Sequence, residues 1–281
     1  MDGILLVNKP AGVTSRDVVN KLSKKLGVKK IGHVGTLDPF ATGLLVVVVG
    51  KATKIAPFLE KVDKNYIATL KLGVKTDTLD LDGKVIETHD VPELDKETIT
   101  TVLKSFVGKL EQVPPMFSAI KCNGVPLYKL ARNNIEVERK IRTIEIYKVR
   151  LISFKGDEIR FSVSCSKGTY IRTFGEQIAE KLGTVGHLIQ LKRTKVGNFD
   201  LKDAHNPNNI MVSHLIGCVD ALSHMDIVSV DEKTANDIKN GKTIELKNHE
   251  QQVLFVDEYN NALAVYEKIN DNIYKCVRGL F

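Results

Sequence analysis

A single carboxylate sits in the loop Gly32-His33-Val34-Gly35-Thr36-Leu37-Asp38-Pro39-Phe40-Ala41-Thr42-Gly43, among three glycines, a proline and one imidazole. Glycines let backbone approach a ligand closely, because no Cβ stands in the way. A carboxylate presented there can act as a nucleophile or stabilise charge electrostatically. The same Asp-Pro pair also starts an ordinary turn, so two readings of Asp38 stand on this stretch alone. Other chemistries find no residues. The seven histidines are isolated, with no HxxxH or HxH spacing for a metal. A Walker loop, a GxGxxG after a strand and a GxSxG elbow are all missing. What remains is one aspartate, a nearby histidine, and the tyrosines and arginines of later segments.

The elements that must position these groups follow from local pattern. Residues 44–49, Leu-Leu-Val-Val-Val-Val, read as a buried strand that mounts the loop rigidly. Residues 3–7 form a short strand that ends in an Asn-Lys-Pro-Ala-Gly turn. Thr14-Ser15 caps a helix with Val18, Val19, Leu22 and Leu26 as its stripe and Gly27 as its stop. Residues 64–72 alternate, with Tyr66, Ala68, Leu70 and Leu72 on one face, and 84–88 reads as the strand returning against them. The acidic turn 76–83 between them fails the calcium-loop pattern. Asp95 caps a helix expected to stop at Gly108. Residues 159–165 alternate, a Ser-Lys-Gly turn follows, and a helix places Tyr170 and Arg172 in its first turn, at the sheet edge.

The whole chain sets limits on this reading. Its 281 residues suggest a large domain plus a small one. A net charge of +7 favours a polyanionic partner, though solubility alone is also served by such a charge. Residues 114–142 carry six basic and two acidic side chains with Phe117 and Tyr128, a composition suited to nucleic acid or to a solvated loop. Four scattered cysteines without a CxxC fit a reducing cytoplasm, and neither a signal peptide nor a membrane span is expected. From about residue 225 a strand, a helix and several strands suggest a small α+β or barrel-like module.

Six stretches, in order, resemble the TruB family of tRNA pseudouridine synthases. They are 3–15, 32–43, Lys64-Asn65-Tyr66, Thr76-Asp77-Thr78-Leu79-Asp80, Ser166-Lys167-Gly168-Thr169-Tyr170-Ile171-Arg172-Thr173 and Leu191-Lys192-Arg193-Thr194. The resemblance covers about four fifths of the chain, and the tail resembles a PUA-like RNA-binding module more weakly. It implies an α+β fold with a mixed, largely antiparallel sheet of the pseudouridine synthase type and flanking helices. It also implies a catalytic domain over 1–224 and a module over 225–281.

The resemblance implies that the chain isomerises uridine to pseudouridine at position 55, in the T-loop of tRNA, with no cofactor and no metal. Asp38 would be the nucleophile, attacking either the sugar or the ring. Arg172 would favour its ionised form. Tyr66 would stack on the uracil and help remove the ring proton, or only stack. Tyr170 and Leu191 would wall the pocket, and His33 would wedge against the flipped nucleotide. Residues 114–142, with Lys129 and Arg132, would grip the T-arm, while Lys9 and Pro10 would brace the catalytic loop and Asp80 would order a neighbouring one. Asn133-Asn134 and Lys192 depart from the family pattern in ways that touch RNA grip. Guide-RNA-dependent relatives are extended before the first motif, which here begins at Gly3. The expectation is therefore a stand-alone cytoplasmic enzyme with tRNA as partner and no obligatory protein partner. A guide-dependent subunit and an RNA-binding tRNA chaperone are the alternatives.

Overall fold

The computed structural model describes residues 1–133 and 135–281, so the sequence departure at Asn134 lies outside the described residues. The chain forms two compact units. One comprises Met1–Asp38, Gly43–Lys61 and Gly197–Phe281, and the other Pro39–Thr42 and Val62–Val196.

The first unit begins with β1 (Gly3–Lys9), α1 (Ser15–Leu26), β2 (Ile31–Val34), β3 (Thr42–Val49) and α2 (Ala56–Glu60). β3 pairs antiparallel with β1 on one side and β2 on the other, so Val46 meets both Leu6 and Val34. From Gly43 on, every β3 side chain is buried. That explains its unbroken aliphatic run, since a strand covered on both faces has no solvent side to alternate towards. The far edge of β1 is also paired. Ile4 exchanges backbone hydrogen bonds with Ile216, and the Asn8 amide donates to the His205 carbonyl at 2.9 Å. Helix α1 begins in a capping box, with Thr14 Oγ1 accepting from the Asp17 amide and Asp17 accepting from the Thr14 amide. It ends at Gly27, whose φ of 65° is the left-handed conformation glycine adopts without cost.

The second unit contains β4 (Lys64–Leu72), β5 (Val74–Thr76), β6 (Val85–Thr88), α3 (Lys96–Lys104), β7 (Gly108–Gln112), β8 (Lys121–Cys122), β9 (Val125–Pro126), α4 (Leu127–Arg132), β10 (Arg142–Lys155), β11 (Glu158–Cys165), α5 (Ile171–Lys181) and β12 (Gly186–Val196). Its main sheet runs β12-β4-β11-β10-β7, every pair antiparallel. Several expectations change here. Residues 85–88 pair with β5, not β4, because both edges of β4 are already taken by β11 and β12. Helix α3 closes at Ser105, and Gly108 opens a strand instead of stopping the helix. The basic, aromatic segment ends in β10, whose first five residues pair with β7. Arg172 and Tyr170 follow an interior strand, so they lie at the end of a strand in mid-sheet instead of at its edge.

The first unit resumes with β13 (Phe199–Asp200) and α6 (Cys218–Ala221), and then β14 (Asp226–Ser229), α7 (Glu232–Lys239), β15 (Ile244–Glu245), β16 (Gln252–Val256), β17 (Ala262–Lys268) and β18 (Ile273–Gly279). These last strands form a five-stranded sheet ordered β14-β16-β17-β18-β15. Its only parallel pair is β14 with β16, which the intervening helix α7 makes sterically accessible. Ile238 and Ala235 of α7 pack on Phe255, Tyr266 and Tyr274.

Candidate active site

Asp38 is half-buried in the middle of the loop that joins β2 to β3. Gly35 turns the chain with φ of 66°, a conformation that costs an ordinary side chain about 1 kcal/mol or more. The adjacent Leu37 is then fixed from outside the loop. Its amide donates to Ser15 Oγ at 2.9 Å, and Ser15 Oγ donates to the Leu37 carbonyl at 2.9 Å. Ser15 is the first residue of α1 and is 1% exposed. The capped end of a helix therefore holds the residue beside Asp38. Lys9 is fully buried, and its ammonium donates to the carbonyls of Pro10 and Val13. These bonds hold the turn that leads into α1. His33 sits on β2, half-buried, opposite Val47.

Tyr66, Arg172, Tyr170 and Leu191 all belong to the second unit. Tyr66 is 8% exposed on β4, with Val163 and Arg193 opposite it on the flanking strands. Arg193 is 1% exposed, whereas its basic neighbours Lys192 and Lys195 are exposed. Leu191 is buried on β12, where its carbonyl accepts from Thr42 Oγ1 at 3.4 Å.

Arg172, only 4% exposed, is bound from several directions. One terminal nitrogen donates to the Thr78 carbonyl at 2.8 Å and lies 3.3 Å from the Asp80 carboxylate, while the other donates to the Phe117 carbonyl at 2.7 Å. The acidic turn is shaped for this. Asp80 accepts from Thr78 Oγ1 at 2.6 Å and from the Asp82 amide at 3.1 Å. Between them Leu79 adopts φ of 60°, a costly conformation for a branched side chain, held by the Leu188 amide on its carbonyl. A turn that resembled a failed calcium loop thus serves to seat a guanidinium. Among the described residues, no group of three or more His, Cys, Asp or Glu side chains is placed to hold a metal.

Tyr170 caps α5 without a side-chain cap of its own. Gln112 clamps it instead, accepting from its amide at 2.8 Å and donating to its carbonyl at 3.1 Å. Sequence reasoning missed Gln112, Phe117 and the bracing role of Ser15. Nothing marked Gln112, Phe117 was read only as an aromatic of the basic segment, and Ser15 only as part of a helix cap. Lys129 and Arg132 are exposed on α4, and Arg132 lies 5.6 Å over the Tyr128 ring. Arg139 is engaged within its own segment by Glu136 and the Pro114 carbonyl. A cysteine nucleophile is disfavoured at Cys165, where burial pushes the thiol up to about 12 and leaves no thiolate near neutrality.

The fold is shared with chains in the crystal structures of a Cbf5-Nop10-Gar1 complex, at a TM-score of 0.76 and 22% identity over 99% of this chain and 85% of that one, and of an archaeal box H/ACA Nop10-Cbf5 complex, at 0.76 and 18%. It is an α+β fold of the pseudouridine synthase type, with a PUA-like C-terminal sheet. Residues 23–171 match the model of the TruB family pseudouridylate synthase N-terminal domain. Proteins called tRNA pseudouridine synthase B are 40% identical over 281 residues in Mycoplasma capricolum subsp. capricolum (99% of this chain, 96% of that protein) and 43% identical in Bacillus cytotoxicus (95% and 92%). The counterpart in Hydrogenovibrio crunogenus is 53% identical over 197 residues, 70% of this chain and 65% of its own length. The chain belongs to the TruB family of pseudouridylate synthases.

Proposed function

We propose that the protein isomerises uridine to pseudouridine at position 55, in the T-loop of tRNA, using Asp38 as nucleophile and requiring no guide RNA, cofactor or metal. The observation that carries this is 40% identity along 99% of the chain to a protein named for that activity on tRNA. The braced aspartate supplies the chemistry. Asp38 adds to the sugar or to the ring as the glycosidic bond opens, the base rotates, and a carbon–carbon bond closes as the ring proton leaves. No atom is gained or lost, so no co-reactant is needed.

Arg172 favours the ionised carboxylate. Tyr66 stacks on the extruded base and assists removal of the ring proton. Tyr170 and Leu191 wall the pocket, and His33 wedges into the space the base vacates. Extruding a base costs a few kcal/mol, which contacts elsewhere on the RNA must offset. Lys129 and Arg132 on α4 supply part of that binding. Residues 1–224 form the catalytic part and 225–281 an RNA-binding module. We assign the protein to the cytoplasm; no helix among the described residues is long and apolar enough to cross a membrane.

Purified protein alone, incubated with unmodified tRNA transcript and mapped for pseudouridine, tests the assignment. Product in the T-loop without guide RNA is the expected result. Product that appears only with an added guide RNA, or none at all, would sink it.

A further inference from the structure

The positive charge of this protein is concentrated in one stretch. Between Asp17 and Glu60 the chain carries seven lysines (21, 24, 25, 29, 30, 51 and 54) and a single carboxylate, Asp38. That stretch has a net charge of +6, against +7 for the whole chain. The other residues together are close to neutral. A general solubility requirement would spread such charge over the surface.

The fold gathers these lysines at one end of a strand pair. Lys21, Lys24 and Lys25 lie on α1, and Lys29 and Lys30 follow its C-terminus at Gly27. The Gly50 amide donates to the Lys30 carbonyl at 2.7 Å, and Ile31 pairs with Val49, so Lys30 runs beside Lys51. All but Lys54 are exposed. Compensation is slight. Lys21 and Lys25 reach oxygens of Asn208, which is neutral. Compensation is greater around Lys51, whose amide donates to Asp2 and which shares a cavity with Asp220 and Asp257, while Lys54 donates to the Phe281 carbonyl. Among the described residues no acidic side chain pairs with Lys24, Lys29 or Lys30. Lysines in the last turn of α1 complement the helix dipole. That account does not extend to 29, 30 and 51, which lie beyond the helix.

The end of the patch at Lys29, Lys30 and Lys51 is also remote from the loop that bears Asp38, whereas Lys24 lies about 13 Å along α1 from Ser15. The loop enters β3 at Thr42, and Lys51 follows the other end at Val49. Eight strand residues span roughly 26 Å. A single extruded nucleotide and its neighbours do not reach that far, but a polynucleotide several base pairs longer does.

Resting on the function proposed above, we infer that Lys24, Lys29 and Lys30 form a second phosphate-binding surface that engages a part of the tRNA outside the T-arm. Its ligand is the phosphate backbone, read by charge without base specificity. Long-range attraction from such a patch also speeds encounter with the RNA.

The test uses a K24Q/K29Q/K30Q variant and two RNAs, a full-length tRNA transcript and the isolated T-arm hairpin. Binding is measured against salt concentration, and pseudouridine formation is measured in parallel. We expect full-length tRNA to bind at least about tenfold more weakly, with the slope of log K against log salt smaller by about two to three. Hairpin binding and hairpin turnover should match the wild type, which also shows that the variant is folded. An unchanged slope for full-length tRNA overturns the inference. Equal losses for both RNAs overturn it too, since the surface would then act on the T-arm. If wild-type protein modifies neither RNA, the proposed function fails, while the binding curves still decide whether the patch is used.

Discussion

Arg172 draws all three of its described acceptors from outside its own helix: the Thr78 and Phe117 carbonyls and the Asp80 carboxylate. A lysine keeps the charge but lacks the planar fork that spans separated oxygens. Arg172→Lys should therefore leave buried acceptors unmet and lower unfolding stability by about 2–4 kcal/mol in urea titrations. Asp38 makes the opposite prediction. Asp38→Asn preserves shape but replaces one acceptor oxygen by an amide donor and removes the proposed nucleophile, so turnover should vanish and tRNA affinity stay within about threefold in filter binding. Continued turnover would remove Asp38 from its role. Asp38, Tyr66 and Arg172 were singled out in the sequence because the stretches that carry them resemble the family's motifs. The partners of Arg172 were not, because Thr78 and Phe117 contribute backbone oxygens that any residue carries. Gln112 was hidden for a related reason: a lone glutamine has no spacing that announces a backbone clamp.

Helix α1 matters to the site through its first residue. Ser15→Ala removes both hydrogen bonds to Leu37 and leaves a buried amide unpaired. Stability should fall by about 1–3 kcal/mol, and kcat should fall with KM for tRNA nearly unchanged, since the loop is loosened without touching RNA grip. A drop in affinity alone would contradict that account. Helix α4 should behave in the reverse sense. The double variant Lys129→Ala/Arg132→Ala should weaken tRNA binding and reduce the salt slope by about two, with kcat at saturating tRNA retained. An unchanged slope would exclude α4 from the RNA footprint. Helix starts were legible because Thr14, Asp95 and Asp231 each accept from an amide three residues on. Strand existence was legible from alternation in β4 and β11. Strand pairing was not. The return of residues 85–88 to β5 depends on β4 having both edges occupied by strands about a hundred residues away in sequence.

At the scale of the molecule, the charge asymmetry was countable in the sequence, but its meaning required the fold to bring Lys30 beside Lys51. The composition change near residue 225 coincided with the start of the C-terminal sheet at Asp226. The division into two units was not legible, because one of them is assembled from three separate segments. That last feature bears on biosynthesis. The outer edge of β1 is completed by His205 and Ile216, which leave the ribosome about two hundred residues after Ile4. At about 5–20 residues per second, that edge waits on the order of ten to forty seconds for its partners. Meanwhile residues 62–196, an almost uninterrupted stretch, are free to fold. During that interval the outer edge of β1 presents unpaired backbone donors and acceptors to other strands. Pulse-labelled hydrogen exchange during refolding should show the Ile4 and Asn8 amides gaining protection after those of β4; simultaneous protection would mean that the first unit does not lag.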